Sequence, residues 1–283
     1  MPILFILIAI VSIQTGASVA KGLFPIVGPE GATALRLGLA SLILVCVWRP
    51  WRQRLSLLQL RDIALYGAAL GAMNLLFYLA LARIPLGIAV ALEFTGPLTV
   101  ALAFSRRPID FVWAGLAVAG IALILPYSGV SASLDLVGML EALLAGASWA
   151  LYILAGKKAG DAADSGTVTS IGMVTAFLLT LPFGIARAGA ELLRLSTLPL
   201  GLGVALLSSA IPYSFEMAAL KRLPHNTFSI LMSMEPAVAA MSGMLLLGEQ
   251  LSLRQWAAIG FIMAASVGSA MGNRGAVVAA WCE

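Results

Sequence analysis

The sequence predicts an all-α membrane protein whose ten transmembrane helices form two inverted five-helix repeats. Three observations predict this fold: an apolar composition, regularly spaced apolar blocks, and an internal repeat. Hydrophobic residues make up 61% of the 283 positions and charged residues only 11%, whereas soluble domains carry roughly 25% charge. The mean hydropathy is +1.00. This composition excludes an ordinary soluble domain.

Ten apolar blocks have about the length, roughly 20 residues, that crosses a ~30 Å hydrocarbon core as a helix. The connections between them are short and carry turn residues, as in "SRRPID". The first block lacks the positive segment and cleavage site of a signal peptide, so we interpret it as a transmembrane helix. The predicted spans are 3–21, 31–48, 62–82, 85–104, 110–127, 134–155, 166–186, 199–220, 225–247 and 255–272.

The positive charges predict the orientation of these spans. If both termini are cytoplasmic, 11 of the 17 lysines and arginines fall on the inside and five on the outside, with Arg36 within a span. The positive-inside rule therefore favours cytoplasmic termini, with residues 274–283 as a short cytoplasmic tail. The same short basic loops explain the pI of about 9.3, so we predict no nucleic-acid partner.

The chain repeats itself at an offset of 139 residues. The segment "RIPLGIAVALEFTGP" at 83–97 aligns with "RLPHNTFSILMSMEP" at 222–236. Because each half holds five predicted helices, an odd number, the second half enters the membrane from the opposite side. We therefore predict a first repeat at 1–130 and a second, inverted repeat at 131–273, an arrangement found in alternating-access transporters.

Several motifs resemble the EamA-type branch of the drug/metabolite transporter superfamily. They are the "GAS" strings at 16–18 and 146–148, the "LGEQLS" turn at 247–252, and longer strings such as "SIQTGAS", "FPIVGPEGATALRL" and "LMSMEPAVAA". The resemblance covers essentially the whole chain. It implies an exporter of amino acids or related metabolites in the bacterial inner membrane, driven by the proton gradient, with threonine and homoserine favoured as substrates.

Five ionisable residues fall within the predicted spans: Arg36, Glu93, Glu141, Glu216 and Glu235. Each costs about 2.5–3.5 kcal/mol to insert, so such groups face a cavity or a partner. Arginine stays charged in proteins, whereas desolvation raises the pKa of a glutamate toward the physiological range. This excess of carboxylates indicates proton coupling.

Two of these glutamates are predicted to lie near the membrane midplane. At ~1.5 Å per residue, Glu93 lies about 12 Å beyond Pro85 and Glu235 about 16 Å beyond Pro224, entering from opposite faces. Pro97 and Pro236 follow them, and each removes a backbone donor within a span. We therefore predict that these prolines are hinges of broken helices; the alternative is a passive kink.

The predicted binding site combines these groups with uncharged polar residues from other spans. For each member the alternative is a structural contact between helices. The substrate- and proton-binding candidates are Glu93, Glu235, Arg36, Glu216, Asn74, Tyr213, Gln14, Tyr78 and Tyr152.

The predicted function is secondary-active export of a small neutral amino acid by proton antiport. No P-loop, HExxH, GxSxG or dinucleotide motif is present in the sequence, so neither an enzyme nor an ATP-driven pump is predicted. Two cysteines and one histidine predict no metal site and no cofactor. The partners are the substrate, protons and membrane lipid; the oligomeric state is left open. The alternatives are export of a purine nucleoside or drug, and a structural or signalling subunit without flux.

Overall fold

A computed structural model describes residues 2–103, 108–124, 135–212, 215 and 225–272. These residues are helical almost throughout, and no strand occurs among them. The helices are α1 (Pro2–Trp48), α2 (Leu57–Leu81), α3 (Leu86–Glu93), α4 (Thr95–Ala103), α5 (Asp110–Ile124), α6 (Leu136–Ala162), α7 (Ser165–Ala188), α8 (Leu198–Ala205), α9 (His225–Met232), α10 (Glu235–Leu247) and α11 (Leu253–Gly272). Short 3-10 turns at Pro50–Arg52 and Gly189–Leu193 and a π turn at Leu206–Ala210 complete the described segments.

Helix α1 contains two of the predicted spans, 3–21 and 31–48, as one helical run interrupted at Gly28. Gly28 has a φ of 71° and a ψ of 169°, a conformation that side chains other than glycine rarely adopt. On a straight helix Gln14 and Arg36 would lie about 33 Å apart, yet both line the same cavity. The chain therefore turns back at Gly28, and α1 supplies two spans.

Polar caps begin three of the long helices. Ser56 and Gln59 form a capping box at the start of α2, Asp135 accepts from the N–H groups of Val137 and Gly138 in α6, and Asp164 accepts from Thr167 in α7. These side chains satisfy amide groups that have no partner within the helix. The predicted span 166–186 agrees with α7 to within two residues, whereas the span 62–82 begins five residues after the start of α2 and the span 134–155 ends seven residues before the end of α6.

Two predicted spans are broken in mid-length. The span 85–104 consists of α3 and α4, which separate at Phe94, and the span 225–247 consists of α9 and α10, which separate at residues 233–234. Each break precedes one of the predicted hinge prolines. Each of these predicted spans therefore consists of two shorter helices, interrupted close to the proline where the sequence predicts a broken helix.

Within the part of the chain that the structure describes, five helical stretches are long and apolar enough to cross a membrane, and the first of them is Ile3–Trp48. The chain is therefore a multi-pass membrane protein. Helix α1 packs along α7 and α8, α2 along α6 and α7, and α5 along α11. The short α3 lies at the centre, with all eight residues buried between α6 and α10. Its position brings Glu93 into the interior of the bundle.

Candidate binding cavity

A cavity of about 200 Å³ lies inside the bundle, next to the broken helices. Six of the predicted site residues line it, drawn from both halves of the chain. Tyr78 is fully buried directly behind the cavity wall. The lining residues are Ile13, Gln14, Ala17, Arg36, Met73, Asn74, Phe77, Val90, Glu93, Trp149, Tyr152, Ser208, Met232 and Glu235.

The guanidinium of Arg36 is held by two side chains of α2. Its Nη1 donates to the hydroxyl oxygen of Tyr78 at 3.1 Å, and its Nη2 donates to Oδ1 of Asn74. The guanidinium also lies 5.2 Å from the centre of the Tyr78 ring, in cation–π range. Asn74 is fixed in turn because its Nδ2 donates to the Leu70 carbonyl at 2.8 Å. Arg36 Nε has no hydrogen-bond partner among the described residues.

Glu235 is oriented by a side chain of α1. Gln14 donates from Nε2 to Glu235 Oε1 at 3.0 Å, and both side chains are buried, at 1% and 7% exposure. The hydroxyl of Ser18 donates to the Gln14 carbonyl at 2.9 Å, one turn further along α1. The hydrogen bond between Gln14 and Glu235 joins the first span to the first residue of α10, across the predicted boundary between the halves.

Glu93 is the last residue of α3 and is 7% exposed. It lies close enough to Glu235 and Arg36 to interact with both charges. Its backbone carbonyl loses its usual helical donor because residue 97, four positions on, is proline. That carbonyl lies against α6, where a Cβ on Gly146 would approach it to 2.7 Å. The structure thus places two carboxylates and one guanidinium around one small volume.

The two predicted hinge prolines occupy matching places in the broken helices. Pro97 is the third residue of α4 and Pro236 the second residue of α10, so each lies in the first turn after a break. Proline suits this position because the first amides of a helix lack intrahelical partners. Glu93 and Glu235 therefore flank their breaks from opposite sides, one at the end of a helix and one at the start.

Tyr152 contributes an aromatic wall. Its ring stacks on Tyr66 with centroids 4.7 Å apart, and its hydroxyl accepts from that of Tyr66 at 3.1 Å. Trp149 packs edge-on against Phe94, the residue at the break between α3 and α4, at 5.5 Å. The sequence analysis did not select Trp149, although its signal was present: in the "GAS" alignment it stands where the first half has Val19.

Ser208 is a second lining residue that the sequence analysis missed. It lies in the π turn at Leu206–Ala210, a form that often occurs at functional positions. Ser12 docks this turn on α1 by donating to the Leu207 carbonyl at 2.7 Å. Gly16 packs directly against the Ser208 hydroxyl, so the glycine of the first "GAS" motif leaves room for it.

Two predicted site residues, Glu216 and Tyr213, lie outside the described residues. Glu141 belongs to α6 and points away from the cavity, with Oε2 3.2 Å from Arg83 Nε. Arg83 also contacts Asp135 at 3.2 Å. The predicted span 134–155 includes Asp135, but in the structure this residue caps α6 and precedes the stretch Leu136–Asp161 that is long enough to cross a membrane. Its pKa is lowered mainly by the hydrogen bond from the Val137 backbone N–H. These groups form a network at the end of the bundle, separate from the cavity.

No group of three or more histidine, cysteine, aspartate or glutamate side chains is arranged to hold a metal ion in the described part of the chain. The polar groups of the cavity are carboxylates, a guanidinium, amides and hydroxyls. Such a set suits a small polar molecule with charges of both signs.

A multi-pass bundle with broken helices around a buried, charged cavity defines a membrane transporter. Comparison with known proteins agrees. The chain belongs to the EamA-like transporter family, within the drug/metabolite transporter superfamily. The family model matches residues 136–271. The protein is a transporter and not an enzyme.

Similar proteins support this assignment over nearly the whole chain. The threonine/homoserine exporter RhtA of Escherichia coli (strain K12) is 54% identical over 96% of this chain and 92% of its own length. The protein of the same name from Salmonella typhimurium (strain LT2) is also 54% identical, with the same coverage. One solved crystal structure aligns with 95% of this chain and 97% of its own at a TM-score of 0.60; at 16% identity it supports the fold alone.

Proposed function

We propose that this protein is a secondary-active exporter of small neutral amino acids, with threonine and homoserine as favoured substrates, in the bacterial inner membrane. The observation that carries the proposal is the cavity, where one guanidinium and two carboxylates meet in a volume of about 200 Å³. The names of the relatives, which are 54% identical, support the choice of substrates.

An amino-acid zwitterion matches the charges of this cavity. Arg36 is the group for the substrate carboxylate, because its planar guanidinium is held by Asn74 and Tyr78 while Nε is left without a partner among the described residues. Glu93 or Glu235 receives the ammonium group. A hydroxyl on the substrate finds polar partners in the same walls. A nonpolar solute would leave these buried groups unpaired, which is costly.

Proton antiport follows from the excess of acids. In the simplest scheme a cavity glutamate takes up a proton from the outside, and the amino acid is released outward. The glutamate then gives up the proton to the inside when the next substrate molecule binds there. The two events compete for one carboxylate, so the cavity alternates between proton and substrate. The buried residues Glu93 and Glu235, which line the same cavity, support this scheme, because ionisable groups within a span are typical of proton pathways in transporters.

Alternating access by two inverted five-helix repeats is part of the proposal. The packing supports it: α5 pairs with α11 and the second part of α1 with α7, which are equivalent elements of the proposed repeats. The broken elements α3–α4 and α9–α10 also correspond and pack on each other. With cytoplasmic termini, as the basic loops favour, Lys21 and Arg83 lie toward the outside.

Counterflow in proteoliposomes tests the function. Vesicles loaded with unlabelled homoserine should accumulate labelled threonine and homoserine, and an imposed pH gradient should drive net movement of both. Inosine tests the alternative of nucleoside export, which the aromatic residues Phe77, Trp149 and Tyr152 in the lining favour. Uptake of inosine without amino-acid counterflow would replace the proposal. Vesicles without any substrate-dependent flux would contradict both.

A further inference from the structure

We propose that Glu249 works as a latch that keeps one end of the cavity closed and positions the helix carrying Glu93. The latch consists of Lys21 on α1, the carboxylate of Glu249, and the backbone N–H of Leu86 at the start of α3. It joins parts of the chain that are 228 and 163 positions apart. The role given to Glu249 rests on the proposed transport function, whereas its contacts with Lys21 and Leu86 do not depend on that function.

The ion pair is short and partly shielded. Lys21 Nζ lies 2.6 Å from Glu249 Oε1, and the two side chains are 27% and 12% exposed. A pair in this environment is screened less than one on an open surface. It therefore holds α1 to the turn between α10 and α11 more firmly than an exposed surface pair would.

The other oxygen of Glu249 caps α3. The residue at the cap position, Pro85, has no side-chain acceptor and makes no capping bond. The Leu86 N–H instead donates to Glu249 Oε2 at 2.8 Å. A carboxylate is favoured at a helix N-terminus, where unpaired amides and the helix dipole carry positive charge. Glu249 thus replaces a local cap with one from the other half of the chain.

The turn that carries Glu249 is shaped to present it. Gly248 has a φ of 67° and ends α10, and the Glu249 N–H donates to the Gly243 carbonyl at 3.1 Å. A Cβ at residue 243 would overlap Glu249 Oε2. Glycines at these two positions therefore let the carboxylate fold back over the end of α10 toward Lys21 and Leu86. This explains the "LGE" part of the turn motif in physical terms.

The latch is two helical turns from the cavity on both sides. Lys21 lies seven residues from Gln14 along α1, and Leu86 lies seven residues from Glu93 along α3, each about 10 Å. Between the latch and the cavity, α1 and α3 both pack on α10: Gly87 of α3 touches Ala240 of α10, and a Cβ there would approach that of Ala240 to 2.5 Å. Opening this end therefore requires α1 and α3 to move away from α10, and Glu249, in the turn that follows α10, holds both.

Thiol labelling tests the latch without any substrate. In a Cys46→Ser, Cys282→Ser background, Val90→Cys places one thiol on the cavity wall. A membrane-impermeant maleimide is added to cells and to inside-out vesicles. We expect Lys21→Met and Glu249→Gln to raise the labelling rate from the Lys21 side by about tenfold, as loss of one charge-assisted contact predicts. Labelling from the opposite side should fall.

Graded variants separate the two contacts of the latch. Glu249→Gln keeps an oxygen for the Leu86 N–H, whereas Glu249→Ala removes both contacts and should label faster still. Lys21→Met leaves the cap of α3 intact, so it remains informative if Glu249→Ala does not fold.

The matched control is Glu191→Gln, which removes an exposed carboxylate paired with Arg194 three residues away. It should label at the parental rate. If the latch variants also label at the parental rate from both sides, the latch is refuted. That result would leave the export proposal standing, just as failed counterflow with altered labelling would refute export and keep the latch.

Discussion

Gln14 Nε2 and Glu235 Oε1 form a buried hydrogen bond of 3.0 Å across 221 positions of the chain. It ties the first span to the break between α9 and α10, where the second half presents its carboxylate. Because Arg36 belongs to the second span of α1, a single helical hairpin contributes both Gln14 and Arg36 to the lining of the cavity. The charge arrangement of the cavity therefore depends on how α1 folds back at Gly28.

Substitution of Glu93 or Glu235 should affect the coupling of efflux to the proton gradient, whereas substitution of an exposed acidic residue should not. We expect Glu→Gln at the proton carrier to abolish net efflux driven by a pH gradient while substrate exchange without a gradient continues, because a neutral amide cannot carry the proton. Both assays use proteoliposomes with labelled threonine. Glu191→Gln, at an exposed ion pair, should retain both activities. The antiport scheme is wrong if Glu93→Gln and Glu235→Gln both keep full gradient-driven efflux.

Asn74 should govern the binding of the substrate carboxylate. Asn74→Asp places a fixed negative charge on Arg36, where the substrate carboxylate would bind. We expect the affinity for threonine to fall by at least about tenfold, since charge-assisted hydrogen bonds contribute about 1.5–3 kcal/mol. Binding is measured by calorimetry on purified protein. The control is Asp62→Asn, which changes the charge at an ion pair with Arg61 and should bind threonine normally. Unchanged affinity in Asn74→Asp would show that Arg36 does not bind the substrate carboxylate.

The contact of Gly96 with Gly146 should tolerate no side chain. A Cβ on Gly96 would overlap the Gly146 carbonyl oxygen, which is backbone and cannot rotate away. We expect Gly96→Ala to lower the free energy of unfolding by about 1–3 kcal/mol, seen as a lower melting temperature in detergent. Gly115→Ala is the control, because nothing lies within 4 Å of its Cβ. Equal melting temperatures for the two variants would contradict the packing described here.

Asp135 should contribute a pH-dependent part of the stability. Its pKa is lowered in the folded protein, chiefly by the Val137 N–H. Its stabilising effect is therefore present above its unfolded pKa of about 3.9 and is lost as the pH falls through the lower folded value. Melting curves between pH 2 and 7 should show that Asp135→Asn loses less stability on acidification than the parent. Parallel curves for both proteins would exclude this contribution.

The sequence was sufficient to predict most of the polar lining of the cavity because charges are rare in membrane spans. Arg36, Glu93 and Glu235 stood out against an apolar background, and Asn74, Gln14 and Tyr152 were selected as polar positions of other spans. All six line the cavity. The prolines likewise indicated where two helices are interrupted, since loss of a backbone donor is a local property.

Other features depend on contacts that no local pattern contains. The π turn at Ser208 has no periodic signature, and the place of Trp149 in the "GAS" alignment does not by itself show that its ring lines the cavity. Lys21 was visible only as a loop charge that counts toward the orientation, and Glu249 only as part of the "LGEQLS" turn. Their pairing depends on the packing of α1, α3 and α10. The exact residues of the breaks in 85–104 and 225–247 are also not visible from composition, because the apolar character continues through them.

The contact between Gly96 and Gly146 bears on how the two proposed repeats differ. In the predicted alignment Gly96 corresponds to Glu235, and the backbone of α6 occupies the space that a glutamate would need there. The first half instead carries its acid at Glu93, nearly one turn earlier. Steric exclusion at Gly96 therefore accounts for an unequal placement of the two acids. In the proposed scheme, the proton and the substrate then bind at two acids with different surroundings, so Glu93 and Glu235 can have different roles.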